Sequence, residues 1–74
     1  MTAVIHIKSD GCRTIYGLKE ILVNYGNNFD IQRISAEEFG NFGFYPKTFC
    51  SFVGESSTIT LQAEVIDFVE FKGN

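Results

Sequence analysis

Apolar positions divide the chain into blocks whose period changes along its length. Residues 3–8 carry the β-branched run Val4, Ile5 and Ile7, with apolar side chains on both faces, which predicts a strand central to a mixed sheet. The run breaks at Ser9-Asp10-Gly11, and after Cys12 the spacing turns helical. Leu18, Ile21, Leu22 and Tyr25 stand at i, i+3, i+4 and i+7, while Lys19, Glu20 and Asn24 fall elsewhere. This predicts a helix over residues 13–25, stopped by Gly26 with Asn27-Asn28 behind it. Gly17 is its one flaw, costing about 1 kcal/mol against alanine. Phe29-Asp30-Ile31-Gln32-Arg33-Ile34 alternates apolar with polar residues and predicts a half-buried strand. Strand, helix and strand make a βαβ unit, with parallel strands and a right-handed crossover.

Ser35-Ala36-Glu37-Glu38 has the form of a capping box, but Gly40 and Gly43 hold the second helix to one or two turns. The aromatic link over residues 39–45 then covers the core with Phe39, Phe42 and Phe44. Pro46, the only proline, opens a strand over residues 47–53, and the aromatic residue before it favours a cis bond. Gly54-Glu55-Ser56-Ser57 turns into a short strand at Thr58-Ile59. The tail, residues 60–72, fits two periods. As a strand it alternates Leu61, Ala63, Val65, Val69 and Phe71, and Asp67 spoils the face. As a helix it stacks Leu61, Val65, Phe68 and Val69, with Thr60 as N-cap and Gly73 past the end, and this is the preferred reading. The order is β-α-β-(short α)-β-β-α, an α/β chain with a four-stranded mixed sheet.

Seventy-four residues, 45% of them apolar, suit one small domain over residues 1–74 with a marginal core. A net charge of −3 and the lack of a Lys/Arg cluster argue against a nucleic-acid surface. No apolar run approaches the roughly 18 residues of a membrane span, and the N-terminus lacks a signal-type segment, so a cytoplasmic location is expected. Cys12 and Cys50 are too few for a stapled secreted domain, and Cys50, within a strand, reads as buried. His6 has no neighbouring ligand cluster, so no metal is expected and a packed or surface imidazole is.

Cys12 falls at the predicted strand-to-helix junction, where unpaired N–H groups and the helix dipole favour a thiolate, with Lys8 and Arg13 close in sequence. A cysteine at the first β-to-α junction and a proline opening the third strand resemble the glutaredoxin family, particularly its short bacterial and phage members. The stretches similar to that family are 3–12 for the first strand and active-site approach, 18–22 for the first helix, 28–34 for the second strand and 43–49 for the proline segment. The resemblance implies a minimal thioredoxin-like fold in a single glutaredoxin-like domain.

The resemblance also implies a glutathione-dependent thiol–disulfide oxidoreductase with Cys12 as the catalytic nucleophile. Ile15 stands where the resolving cysteine of the family would be, so the implied mechanism is monothiol, with glutathione as co-substrate and a disulfide-containing protein as partner. Ribonucleotide reductase is the candidate partner by family association. Lys8, Arg13, Tyr45, Pro46 and Glu64 are the implied substrate- or glutathione-binding positions, although Thr60-Leu61 replaces the family's glycine pair. Two other readings stand beside it. One is an inactive thioredoxin-fold binding module of phage type, using the Cys12–Pro46 surface. The other takes the tail and residues 13–25 as strands, which gives a small β-barrel interaction protein.

Overall fold

Alternation with period two sets nearly all of the backbone in the computed structural model, which describes residues 1–24, 31–39 and 47–73. In β1 (Thr2–Ile7) Ala3 and Ile5 are buried between less buried neighbours; β3 (Glu20–Asn24) buries Ile21 and Val23, and β5 (Phe49–Val53) buries Cys50 and Phe52. With β2 (Cys12–Ile15), β4 (Ile31–Ile34), β6 (Thr58–Gln62) and β7 (Ile66–Lys72), they form two antiparallel sheets, ordered β2-β1-β7 and β4-β3-β5-β6. The inward rows share one core in which Ile5, Ile15, Ile21 and Phe52 are wholly covered. Among the described residues the only helical elements are two 3-10 turns, Ala36–Glu38 and Ala63–Val65, so none is long and apolar enough to cross a membrane.

This corrects the α/β expectation, the four-stranded mixed sheet and the thioredoxin-like fold with its glutaredoxin resemblance. In place of a βαβ unit, β1 and β2 form an antiparallel hairpin. The helix predicted over 13–25 is two strands, β2 and β3, separated by a bend at residues 16–19. Ile15, Leu18 and Ile21 do all point inward at steps of three, because the chain turns a corner between them. Gly17 takes φ +63° in that corner, a left-handed conformation open to glycine without a Cβ penalty. Leu18 N–H donates to Met1 O at 2.7 Å and Lys19 N–H to Val53 O at 2.8 Å, so the chain leaves the first sheet and joins the second within two residues.

The tail is corrected in the same way. Its helical spacing arises from a second corner, the Ala63–Val65 turn between β6 and β7. Ala63 N–H still bonds Thr48 O, beside β5, while Lys8 N–H bonds Val65 O, beside β1, both at 2.9 Å. Within β7, Ile66 pairs with Ile7 and Phe68 with His6, which leaves Asp67 as the extra residue of a β-bulge. The bulge explains the residue that spoils the strand pattern: Ile66 is buried and Val69 half-buried, with two exposed residues between them.

Ser35 precedes a 3-10 turn and makes no side-chain cap. Its hydroxyl is instead placed to donate to Glu37 Oε2 at 2.9 Å or Glu38 Oε1 at 3.1 Å, and the Glu38 N–H goes to Ser35 O. Phe39, beyond that turn, is buried and stacks on Phe71 at 5.3 Å between ring centroids. The expectations for Gly26, Phe42, Phe44, Tyr45 and the proline at Pro46 lie outside the described residues.

Candidate functional site

The β1–β2 hairpin and the β1–β7 pairing place residues from both ends of the chain on one exposed sheet face. The hairpin turns through residues 8–11, with Asp10 N–H donating to Ile7 O at 3.2 Å and positive φ at Ser9 and Gly11. Ile7 N–H donates to Gly11 O at 2.9 Å. By the alternation of an antiparallel ladder, His6 and Cys12 are then the adjoining non-hydrogen-bonded pair, in which Cβ atoms stand about 4.5–5.5 Å apart.

On the other side of β1, His6 is in register with Phe68. Cys12, His6 and Phe68 thus form a row across the three strands, all on the outward face. The rings of His6 and Phe68 are stacked at 4.1 Å with an interplanar angle of 14°. Glu70, two residues along β7 on the same face, accepts a 2.6 Å hydrogen bond from His6 Nε2. With an ionised carboxylate as acceptor, Nε2 carries the proton and the imidazole is fixed in orientation. Phe68 remains 49% exposed, an aromatic side chain with one face covered by His6 and the other open.

Of the site residues expected from sequence, Lys8, Cys12 and Arg13 share the β1–β2 hairpin and Glu64 lies in the second corner. Cys12 is exposed but opens a strand, so the helix start that would favour its thiolate does not exist. Arg13 turns its guanidinium back to Asp10 Oδ2 at 3.3 Å and to the Cys12 carbonyl oxygen at 3.1 Å. Lys8 is exposed in the hairpin turn and Glu64 exposed in the second corner, joined only indirectly through the Lys8 N–H on Val65 O. Tyr45 and Pro46 lie outside the described residues. Cys50 is buried on the inward face of β5, and desolvation pushes its thiol up to about 11 despite a hydrogen bond with Thr48 that acts the other way.

The two cysteines are free, one on the surface and one in the core, and among the described residues no thioredoxin-type scaffold is present to hold glutathione. The expected glutathione-dependent oxidoreductase activity, the glutathione co-substrate, and the disulfide-protein and ribonucleotide reductase partners fall with that scaffold. Among the described residues no three His, Cys, Asp or Glu side chains are grouped to hold a metal ion. Sequence reading missed the His6–Phe68–Glu70 group because His6 stands 62 and 64 positions from Phe68 and Glu70 and meets them only through the pairing of the first and last strands. Compared with protein-family models, curated proteins and solved structures, the chain matches none.

Proposed function

We propose that the protein is a non-enzymatic interaction module that uses the outer face of the β2-β1-β7 sheet to hold a basic side chain of a partner protein. The observation that carries this reading is the open face of Phe68, backed by His6 and flanked by the Glu70 carboxylate. An arginine or lysine laid over an aromatic ring gains about 0.5–1 kcal/mol at an exposed site, and a neighbouring carboxylate adds a charged acceptor. The ring needs no reordering on binding, since His6 already holds it, which reduces the entropic cost. The net charge of −3 favours approach of a basic partner. Two free thiols fit a reducing compartment, which supports a cytoplasmic location.

The test is a residue-resolved NMR titration with a short arginine-containing peptide, run against the same peptide carrying citrulline in place of arginine. Shifts centred on His6, Phe68 and Glu70 with the arginine peptide alone support the reading. Phe68→Ser should weaken binding by about two- to fivefold, the equivalent of one exposed cation–π contact. An equal response to the citrulline peptide, or shifts spread over both sheets, overturns it.

A further inference from the structure

Sheet edges recruit strands unless something blocks them, and natural proteins block them with charge, proline or a bulge. Of the four sheet edges among the described residues, three are guarded: β2 by Arg13, β4 by Arg33, and β7 by the Asp67 bulge together with Glu70 and Lys72. The fourth, β6, is Thr58-Ile59-Thr60-Leu61-Gln62, without charge, proline or register shift. Among the described residues no strand pairs with its outer side. Ile59 and Leu61 are only half-buried against the core.

We propose that two copies of this chain pair antiparallel through β6, with Thr60 on the two-fold axis. The strand read against itself selects this register. With Thr60 opposite Thr60, Ile59 of one copy lies opposite Leu61 of the other on the core side, and Thr58 lies opposite Gln62 on the solvent side. Aliphatic then meets aliphatic and polar meets polar, the pairings that stabilise adjacent strands. Glu55 and Glu64, which flank β6, fall opposite Val65 and Ser56, so no acid faces an acid.

The neighbouring registers are worse. Centring on Ile59 puts Leu61 opposite Ser57, and centring on Leu61 puts Ile59 opposite Ala63 and Thr58 opposite Glu64. A shift by one residue sets the core face of one copy against the solvent face of the other. The chosen register joins two four-stranded sheets into one of eight strands. A single five-residue edge buries less than the roughly 1,200 Å² of a stable specific interface, so the dimer is weak and concentration-dependent.

Sedimentation velocity of the full chain over a concentration series tests this. For the wild type the sedimentation coefficient should rise with concentration, and amide exchange in β6 should slow in parallel. Thr60→Lys and Thr60→Glu, each placing like charges together at the axis, should remain monomeric while keeping the wild-type circular dichroism. An equimolar mixture of the two should associate again, because lysine then faces glutamate. A wild type that is monomeric throughout, a lysine variant that associates like the wild type, or a mixture that stays monomeric overturns the proposal.

Discussion

Gly54 lies so close to Ile15 that a Cβ built on it would stand 2.7 Å from Ile15 Cγ2, and 2.7 Å from the Tyr16 carbonyl oxygen. The turn after β5 therefore presses against the bend after β2 at a point with no room for a side chain. Gly54→Ala should cost about 1–3 kcal/mol, the range for overpacking a closed site. Gly11→Ala provides the comparison: φ is +75° there and nothing lies within 4 Å of the added carbon, so only the left-handed strain of about 1 kcal/mol remains. Urea unfolding of both variants should give a lower midpoint for Gly54→Ala at unchanged slope.

The bend at residues 16–19 and the Ala63–Val65 turn are where sequence and structure part. Of the stripe Leu18, Ile21, Leu22 and Tyr25, Leu18 and Ile21 are both buried because the chain passes from the bend into β3 between them, Leu22 lies on the other face of β3 from Ile21 and Val23, and Tyr25 is outside the described residues; Gly17 is part of the bend itself. In the tail a 3-10 corner and a bulge together stretch the inward spacing beyond two, and the lengthened period imitates a helix. Elements without a corner were legible: the strand at residues 3–8, the break at Ser9-Asp10-Gly11, and the turn at Gly54, whose N–H bonds Ser57 O at 2.8 Å. For the site, the reading of His6 as a packed or surface imidazole matches its place on an exposed face. Its partners on β7 carry no local signal, since a strand pairing across 62 residues leaves no periodicity near either end.

Cys50 gives stability a dependence on alkaline pH. Its folded pKa is raised from 9.0 to about 11, chiefly by burial. Between those values the unfolded chain sheds the thiol proton while the folded protein keeps it, so the unfolded state binds fewer protons and stability falls as pH rises. The contribution is fully present below pH 9 and is lost as pH climbs through about 11. Urea midpoints across pH 8–11 should decline for the wild type and decline less for Cys50→Ala, which has no thiol to ionise. In a thiol-labelling assay at neutral pH, Cys12 should react in the folded protein and Cys50 only on unfolding.

The His6–Phe68 stack predicts an energetic coupling that its exposure would not suggest. Stacked aromatic pairs contribute about 0.5–1.5 kcal/mol beyond the area they bury. His6→Ala, Phe68→Ala and the double variant, compared by urea unfolding, should show a coupling energy in that range. Glu70→Gln should reduce it, because the carboxylate holds the imidazole parallel to the phenyl ring through the 2.6 Å bond. Additive single effects would show that the rings stack without mutual stabilisation.

The bulge makes a prediction that no substitution can imitate. Asp67 is the extra residue between Ile66, opposite Ile7, and Phe68, opposite His6. Deleting it leaves Ile66, Phe68 and Val69 consecutive, opposite Ile7, His6 and Ile5, so the inward and outward positions alternate without interruption. Deleting Val69 also lets the bulge close, but it brings Phe68 opposite Ile5 and Asp67 opposite His6 while Glu70 stays opposite Val4, so Phe68 turns from the outer face to the inner one. A side chain's alternation is fixed by the pleat, so the residue removed decides which neighbour crosses to the other face. The chain without Asp67 should keep its β-type circular dichroism and unfold cooperatively. The chain without Val69 should fold as well, but with Phe68 turned inward it loses the stack on His6 and should unfold at a lower urea midpoint than the chain without Asp67.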